Sequence, residues 1–189
     1  MPESSTMSIP DPFDAAARGL AVFAIPPGGN RPAEPGWQQR ATSDPAVLRR
    51  IWRPGDNIGV GCWRSGVVGL DLDDNGVDSL AALCATHGQP WPKTLAVATP
   101  SGGQHRHLYY RCPPGRIVLS SSGRHSPLGP GIDVRGPGRG GRGGYLVGPG
   151  SLRAGGRYEI VDPRPIAVLP RWLADVITAN RATAKENRG

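Results

Sequence analysis

Asp71 and Asp73 stand at the end of an apolar run, GLDLDD over residues 69–74. On a strand the side chains alternate between faces, so these two carboxylates share one face, about 7 Å apart along it. Like charges at that spacing repel unless a cation sits between them, and hard divalent ions such as Mg2+ and Mn2+ prefer such oxygen donors. The plainer reading is a strand end where acids meet solvent and Asn75-Gly76 completes a turn. A second group is TPSGGQHRHLYYR, residues 99–111. Ser101, Gly102 and Gly103 form a small-residue turn whose backbone N–H groups could receive a phosphate. His105 and His107 alternate onto one face, each able to donate to a phosphate oxygen, while Arg106 faces the other way.

A third group is PGIDVRGPG, residues 130–138, where Asp133 is the single acid in a long arginine-rich stretch. An acid kept there is either paired with an arginine such as Arg135 or is a further metal ligand. Three carboxylates could hold two metal ions, which activate a hydroxyl and stabilise a leaving pyrophosphate in an in-line displacement. Zinc is the competing metal: Cys84 and His87 have helix spacing, and Cys62 and Cys112 could converge, although no CxxC pair supports it.

The elements that must position these groups follow from periodicity and turn chemistry. Asp11-Pro12 starts a helix that Gly19 stops, and a strand follows over residues 20–25. After a Gly/Pro loop over 26–37, Thr42-Ser43-Asp44-Pro45 starts a second short helix through Val47, Leu48, Ile51 and Trp52. Apolar runs at 57–62 and 67–73 are split by Arg64-Ser65-Gly66, which reads as a hairpin turn. A helix is expected over 77–86, strands over 94–98 and 106–111, then short strands at 116–119, 131–134, 144–147 and 158–161. Trp172, Leu173, Val176 and Ile177 fall at helical spacing in a final helix over 170–180. The organisation expected is a disordered lead over 1–10, one domain over 11–180 and a flexible tail over 181–189, in an α+β fold with a mixed or antiparallel sheet.

The 189 residues suffice for one ordinary domain, and 28 Gly with 21 Pro make it loop-rich. No apolar stretch reaches the roughly 20 residues of a membrane span, and the start lacks a signal-peptide hydrophobic region, so a cytoplasmic protein without a membrane partner is expected. Three widely spaced cysteines suit reduced thiols. Formal net charge is +7, and residues 102–158 alone carry nine arginines against Asp133. A polyanion such as nucleic acid is the partner such clustering suits. Within that stretch GPGRGGRGG, residues 136–144, is either a mobile loop tip or a flexible phosphate contact through Arg139 and Arg142.

In this order the three groups resemble the bifunctional DNA primase/polymerase (prim-pol) domain of the archaeo-eukaryotic primase superfamily. Asp-x-Asp on a strand, Ser-Gly-Gly before His-Leu-Tyr, and a later Ile-Asp-Val are its pattern. DAAARGLAVFAIPPGGNRP, ATSDP, DNIGVG, SGVVGLDLDD, the Tyr145-Leu146-Val147 run with Pro149-Gly150-Ser151, and GGRYE extend the likeness over residues 11–162. The resemblance implies an α/β module packed on an RRM-like module, with the site in the cleft between them. It implies Asp71, Asp73 and Asp133 as ligands for Mg2+ or Mn2+, and His107 beside the incoming nucleotide's phosphates, with His105 a rival. Ser101, Gly102 and Gly103 would shape that pocket, Arg135 would touch phosphate, and Arg106, Arg139 and Arg142 would contact nucleic acid. Single-stranded DNA template and dNTP or NTP are the implied substrates, and a replicative helicase the implied partner. Asn30 departs from the lysine that relatives often carry. Many relatives continue into a helical domain and a helicase, so a stand-alone mobile-element protein and a piece of a longer one are both compatible with this chain. The activities compatible with the residues are a primase or polymerase, a non-catalytic module recruiting a helicase, and a metal-dependent phosphoesterase.

Overall fold

A computed structural model describes residues 10–186 of the chain. The expected lead lies outside the described residues except for Pro10, which is buried. Asp11 caps α1 (Pro12–Ala17) by accepting the Phe13 N–H at 2.8 Å, and Pro12 occupies the first turn, where no amide donor is needed. Gly19, at φ 75°, turns the chain toward β1 (Val22–Ile25). A single turn, α2 (Trp37–Arg40), follows the Gly/Pro loop, and Asp44 caps α3 (Pro45–Ile51) through the Ala46 and Val47 N–H groups. Next come β2 (Asn57–Gly61), α4 (Cys62–Ser65), β3 (Val67–Leu72), α5 (Gly76–Thr86), β4 (Leu95–Ala98) and β5 (Arg106–Arg111). A 3-10 turn (Gly123–His125) precedes β6 (Ile132–Arg135) and β7 (Tyr145–Val147). The small hairpin β8 (Leu152–Arg153) and β9 (Gly156–Arg157), then β10 (Glu159–Asp162) and α6 (Arg171–Glu186), complete the order. The backbone of α6 continues past the Arg181 boundary read from the sequence, and residues 187–189 lie outside the described set.

The fold is α+β with antiparallel sheets. A three-stranded sheet runs β1-β2-β7, a five-stranded sheet runs β10-β4-β5-β3-β6, and their ladders are antiparallel throughout. Alternation along the five-stranded sheet divides the core in two. Val67, Leu95, Val97 and Tyr109 face Ile58, Val60 and Leu146 of the three-stranded sheet. Val68, Leu70, Leu72, Leu108 and Tyr110 pack on the opposite face, under Leu80 of α5 and Leu173 and Ile177 of α6. The two sheets touch where Gly69 meets Leu146: a Cβ on Gly69 would lie 2.3 Å from Leu146 Cδ1, so only glycine permits this approach.

Two local expectations are corrected. The runs at 57–62 and 67–73 do not pair as a hairpin. Residues Cys62–Ser65 form a helical turn closed by Gly66 at φ 60°, and Ser65 Oγ accepts the Ala21 N–H at 2.8 Å, pinning the turn beside β1 and sending the next strand into the other sheet. The expected strand at 116–119 is irregular. Val118 instead accepts the Gly138 N–H at 2.9 Å, and a Cβ on Gly136 would lie 2.2 Å from the Val118 oxygen, so backbone packs on backbone too closely for a side-chain-bearing ladder.

Candidate functional site

Strand register assembles the site. On the front face of β3, the side facing the three-stranded sheet, Val67 and Gly69 are followed by Asp71. The register places His107 of β5 opposite Asp71 on one side and Asp133 of β6 opposite it on the other. Three groups far apart in the chain therefore stand in one row across the sheet. His107 Nε2 lies 3.2 Å from Asp71 Oδ1, the ring is 4 % exposed, and Nδ1 is buried without a hydrogen-bond partner. Asp133 Oδ1 accepts the Gly123 N–H at 2.8 Å and Oδ2 accepts Arg135 Nη2 at 2.8 Å. Asp73 follows the end of β3, its N–H donating to the Gly131 oxygen at 2.8 Å. His105 reaches back to this corner, with Nε2 2.8 Å from Asp74 Oδ1 and Nδ1 3.8 Å from Asp73 Oδ1.

A cleft of about 520 Å3 lies beside the Gly69–Leu146 contact, with Leu146 in its lining. Asp71, His107 and Arg135 line it, together with Arg31 and Arg142. Tyr158 packs on His107 with ring centroids 5.4 Å apart, and Trp37 and Tyr145, at 4.9 Å, form a further aromatic wall. Asp73, Asp74 and His105 line a separate pocket of about 200 Å3.

The electrostatics follow from this crowding. Burial acts to raise the Asp71 carboxyl, but the hydrogen bond and charge of His107, with Arg135 and His105, outweigh it and hold the group below its ordinary 3.8. Asp73 moves the other way: burial first, then the charges of Asp71 and Asp133, raise it, against the pull of His105 and His107. Asp73 thus feels both other carboxylates. The thiols offer no comparable centre. Burial pushes Cys62 up to about 12, and Cys62 lies in the front core whereas Cys84 and Cys112 pack on the rear, so Cys62 and Cys112 do not converge. Among the described residues no three His, Cys, Asp or Glu side chains form a preassembled metal cluster.

The family model of the bifunctional DNA primase/polymerase N-terminal domain matches residues 13–172. The chain belongs to this family. Membership points to a primase or polymerase role, to nucleotidyl transfer in general, and to DNA and nucleotides as substrates. No curated protein matches the chain. Among the described residues no helix is long and apolar enough to cross a membrane.

In this primase/polymerase domain the sequence-selected residues fall in the cleft, in a pocket beside it, and outside both. Asp71, His107, Arg135 and Arg142 line the cleft, and Asp133 stands in register beside Asp71. Asp73 and His105 occupy the adjoining pocket. Ser101, Gly102 and Gly103 are exposed and outside the cleft lining, and the Gly102 N–H is already donated to the Thr99 oxygen at 3.2 Å. Arg106 shares the rear-facing side of β5 with Leu108 and Tyr110, its Nε donating to the Gln104 oxygen. Arg139 is exposed, in a glycine-rich segment closed by a bond from the Gly144 N–H to the Gly136 oxygen at 2.9 Å. Arg31, Trp37, Tyr145 and Tyr158 were not selected for chemistry. They reach the cleft through strand pairing and loop return, for which a single sequence carries no local signal.

Proposed function

We propose that the protein is a template-directed nucleotidyltransferase that adds (d)NTPs to a primer, or begins one, on single-stranded DNA. The observation carrying this reading is the register that sets Asp71 beside both His107 and Asp133 on the wall of an arginine-lined cleft. The α+β fold is compatible with it: on this reading the five-stranded sheet with α5 and α6 behind it would be the RRM-like module, and the three-stranded sheet with α1 to α3 its α/β partner. Asp71, Asp73 and Asp133 would hold Mg2+ or Mn2+. The donor set suits a hard cation, and of the two causes that raise Asp73, burial and the charges of Asp71 and Asp133, the second is what a cation would relieve. When bound, the cation supplies charge neutralisation at the transferring phosphate.

The side chains of the chain divide the remaining work. Asp71 fixes the His107 ring through Nε2, and the ring stands in the lining of the cleft, where it would face the phosphates of a nucleotide. Arg135 and Arg142 add guanidinium donors for the triphosphate. The attacking 3′-hydroxyl gives up its proton to an aspartate carboxylate or to solvent. A second reading, a non-catalytic module that binds nucleic acid and recruits a helicase, draws on the engagement of Asp71 and Asp133 by His107 and Arg135.

The test is incubation with labelled single-stranded template, with and without primer, dNTPs or NTPs, and Mg2+ or Mn2+. Lengthened, template-directed product that disappears in Asp71→Ala and Asp73→Ala is expected. Shortened DNA would indicate the phosphoesterase, and template binding without product would favour the recruitment module.

A further inference from the structure

The cleft runs on from its charged groups to an aromatic wall that the phosphate chemistry does not use. Neighbour contacts give the order: His107 against Asp71, then Arg135, then Gly144, then Tyr145 and Trp37. A Cβ on Gly144 would lie 2.6 Å from Ser120 Oγ and 3.3 Å from Arg135 Cβ, so glycine lets the chain leading into Tyr145 pass close beside Arg135. The wall is held in place. Tyr145 donates its hydroxyl to the Asn30 oxygen at 3.0 Å, and buried Phe23 backs both rings, 4.6 Å from Trp37 and 5.5 Å from Tyr145. Phe23 in turn fits because Gly59 faces it, where a Cβ would lie 2.2 Å from Phe23 Cζ. Trp37 and Tyr145 nevertheless remain half-buried and line the cleft. Fixed, partly open aromatic rings beside arginines are the chemistry that stacks nucleobases.

We propose that Trp37 and Tyr145 form a nucleobase-stacking subsite, so that the protein holds a nucleoside triphosphate before any template is present. This rests on the nucleotidyltransferase reading. The occupant is a mononucleotide because the phosphate-binding groups and the aromatic wall share one cleft, whose volume of about 520 Å3 suits a ligand of that size. Stacking accepts any base, so selection among bases is left to pairing with the template.

Calorimetry on the full chain in Mg2+, without DNA, compares dATP with inorganic tripolyphosphate. Wild type is expected to bind dATP about tenfold more tightly, the scale of one stacked base. Tyr145→Ala and Trp37→Ala reduce that ratio to about twofold or less and leave tripolyphosphate binding unchanged, while Tyr145→Phe and Trp37→Phe retain most of it and guard against a folding defect. Equal binding of the two ligands by wild type overturns the stacking subsite and spares the phosphate reading. Failure of wild type to bind either overturns both. An oligodeoxythymidylate whose binding is lost in the alanine variants, with dATP binding intact, would give the wall to the template strand and also overturn the proposal.

Discussion

Asp71 gains its character from a neighbour. Without the hydrogen bond and charge of His107, a carboxyl as buried as this one would move up, not down. A folded-state value below the ordinary 3.8 means that Asp71 contributes stability above 3.8 and loses it as pH falls through the lower folded value. In EDTA, thermal melts of wild type should therefore fall on acidification below 3.8, and Asp71→Asn should flatten that fall. Asp73 has the opposite sign. Its raised value means that ionisation costs stability as pH rises from the ordinary 3.8 through the folded value, so Asp73→Asn should melt higher than wild type above that window. On the proposed function, His107→Ala would remove a group facing the nucleotide's phosphates and should lower incorporation by about a hundredfold or more, measured under saturating nucleotide. Asp71, Asp73 and His107 stand out in the sequence because paired acids at the end of an apolar run and a His after a Gly-Gly turn are local patterns. The partnership of Asp71 with His107 and Asp133 does not, because it exists only in the register of three strands.

At the scale of elements, the close approach of the two sheets decides where the cleft opens. Gly69→Val would set a side chain against Leu146, which is 2 % exposed and has nowhere to move. A loss of about 1–3 kcal/mol in urea unfolding is expected, partly restored by adding Leu146→Ala, as overpacking demands. Asp44→Ala removes the bonds to the Ala46 and Val47 N–H groups and should cost about 1 kcal/mol without changing incorporation. Helix starts of this kind were read correctly because Asp-Pro carries its own mechanism. α2 and the β8–β9 hairpin were missed, being too short to show a period. The supposed hairpin at Arg64-Ser65-Gly66 failed because glycine after a short polar run closes a helical turn as readily as it makes a strand turn, and only the Ser65–Ala21 bond decides between them.

For the whole molecule, the arginine excess in residues 102–158 is a poor map of the binding surface. Arg111 is spent on the oxygens of Arg18, Gly19 and Ser65, Arg116 pairs with Asp175, and Arg106 bonds within its own loop. Arg31, Arg135 and Arg142 line the cleft, and Arg124 and Arg139 are exposed. The affinity for single-stranded DNA should consequently fall with salt along a log–log slope of roughly −2 to −3.5, for three to five phosphates, and a slope near −6 would mean that the framework arginines bind DNA as well. The central claim, that the Asp71–His107–Asp133 row is the centre of nucleotidyl transfer, is tested most directly by single-turnover incorporation of one labelled nucleotide by wild type and Asp71→Asn at saturating dNTP and Mg2+. A fall of about a thousandfold, in a variant that still unfolds cooperatively at neutral pH, is the predicted result. Incorporation by Asp71→Asn within twofold of wild type would contradict it.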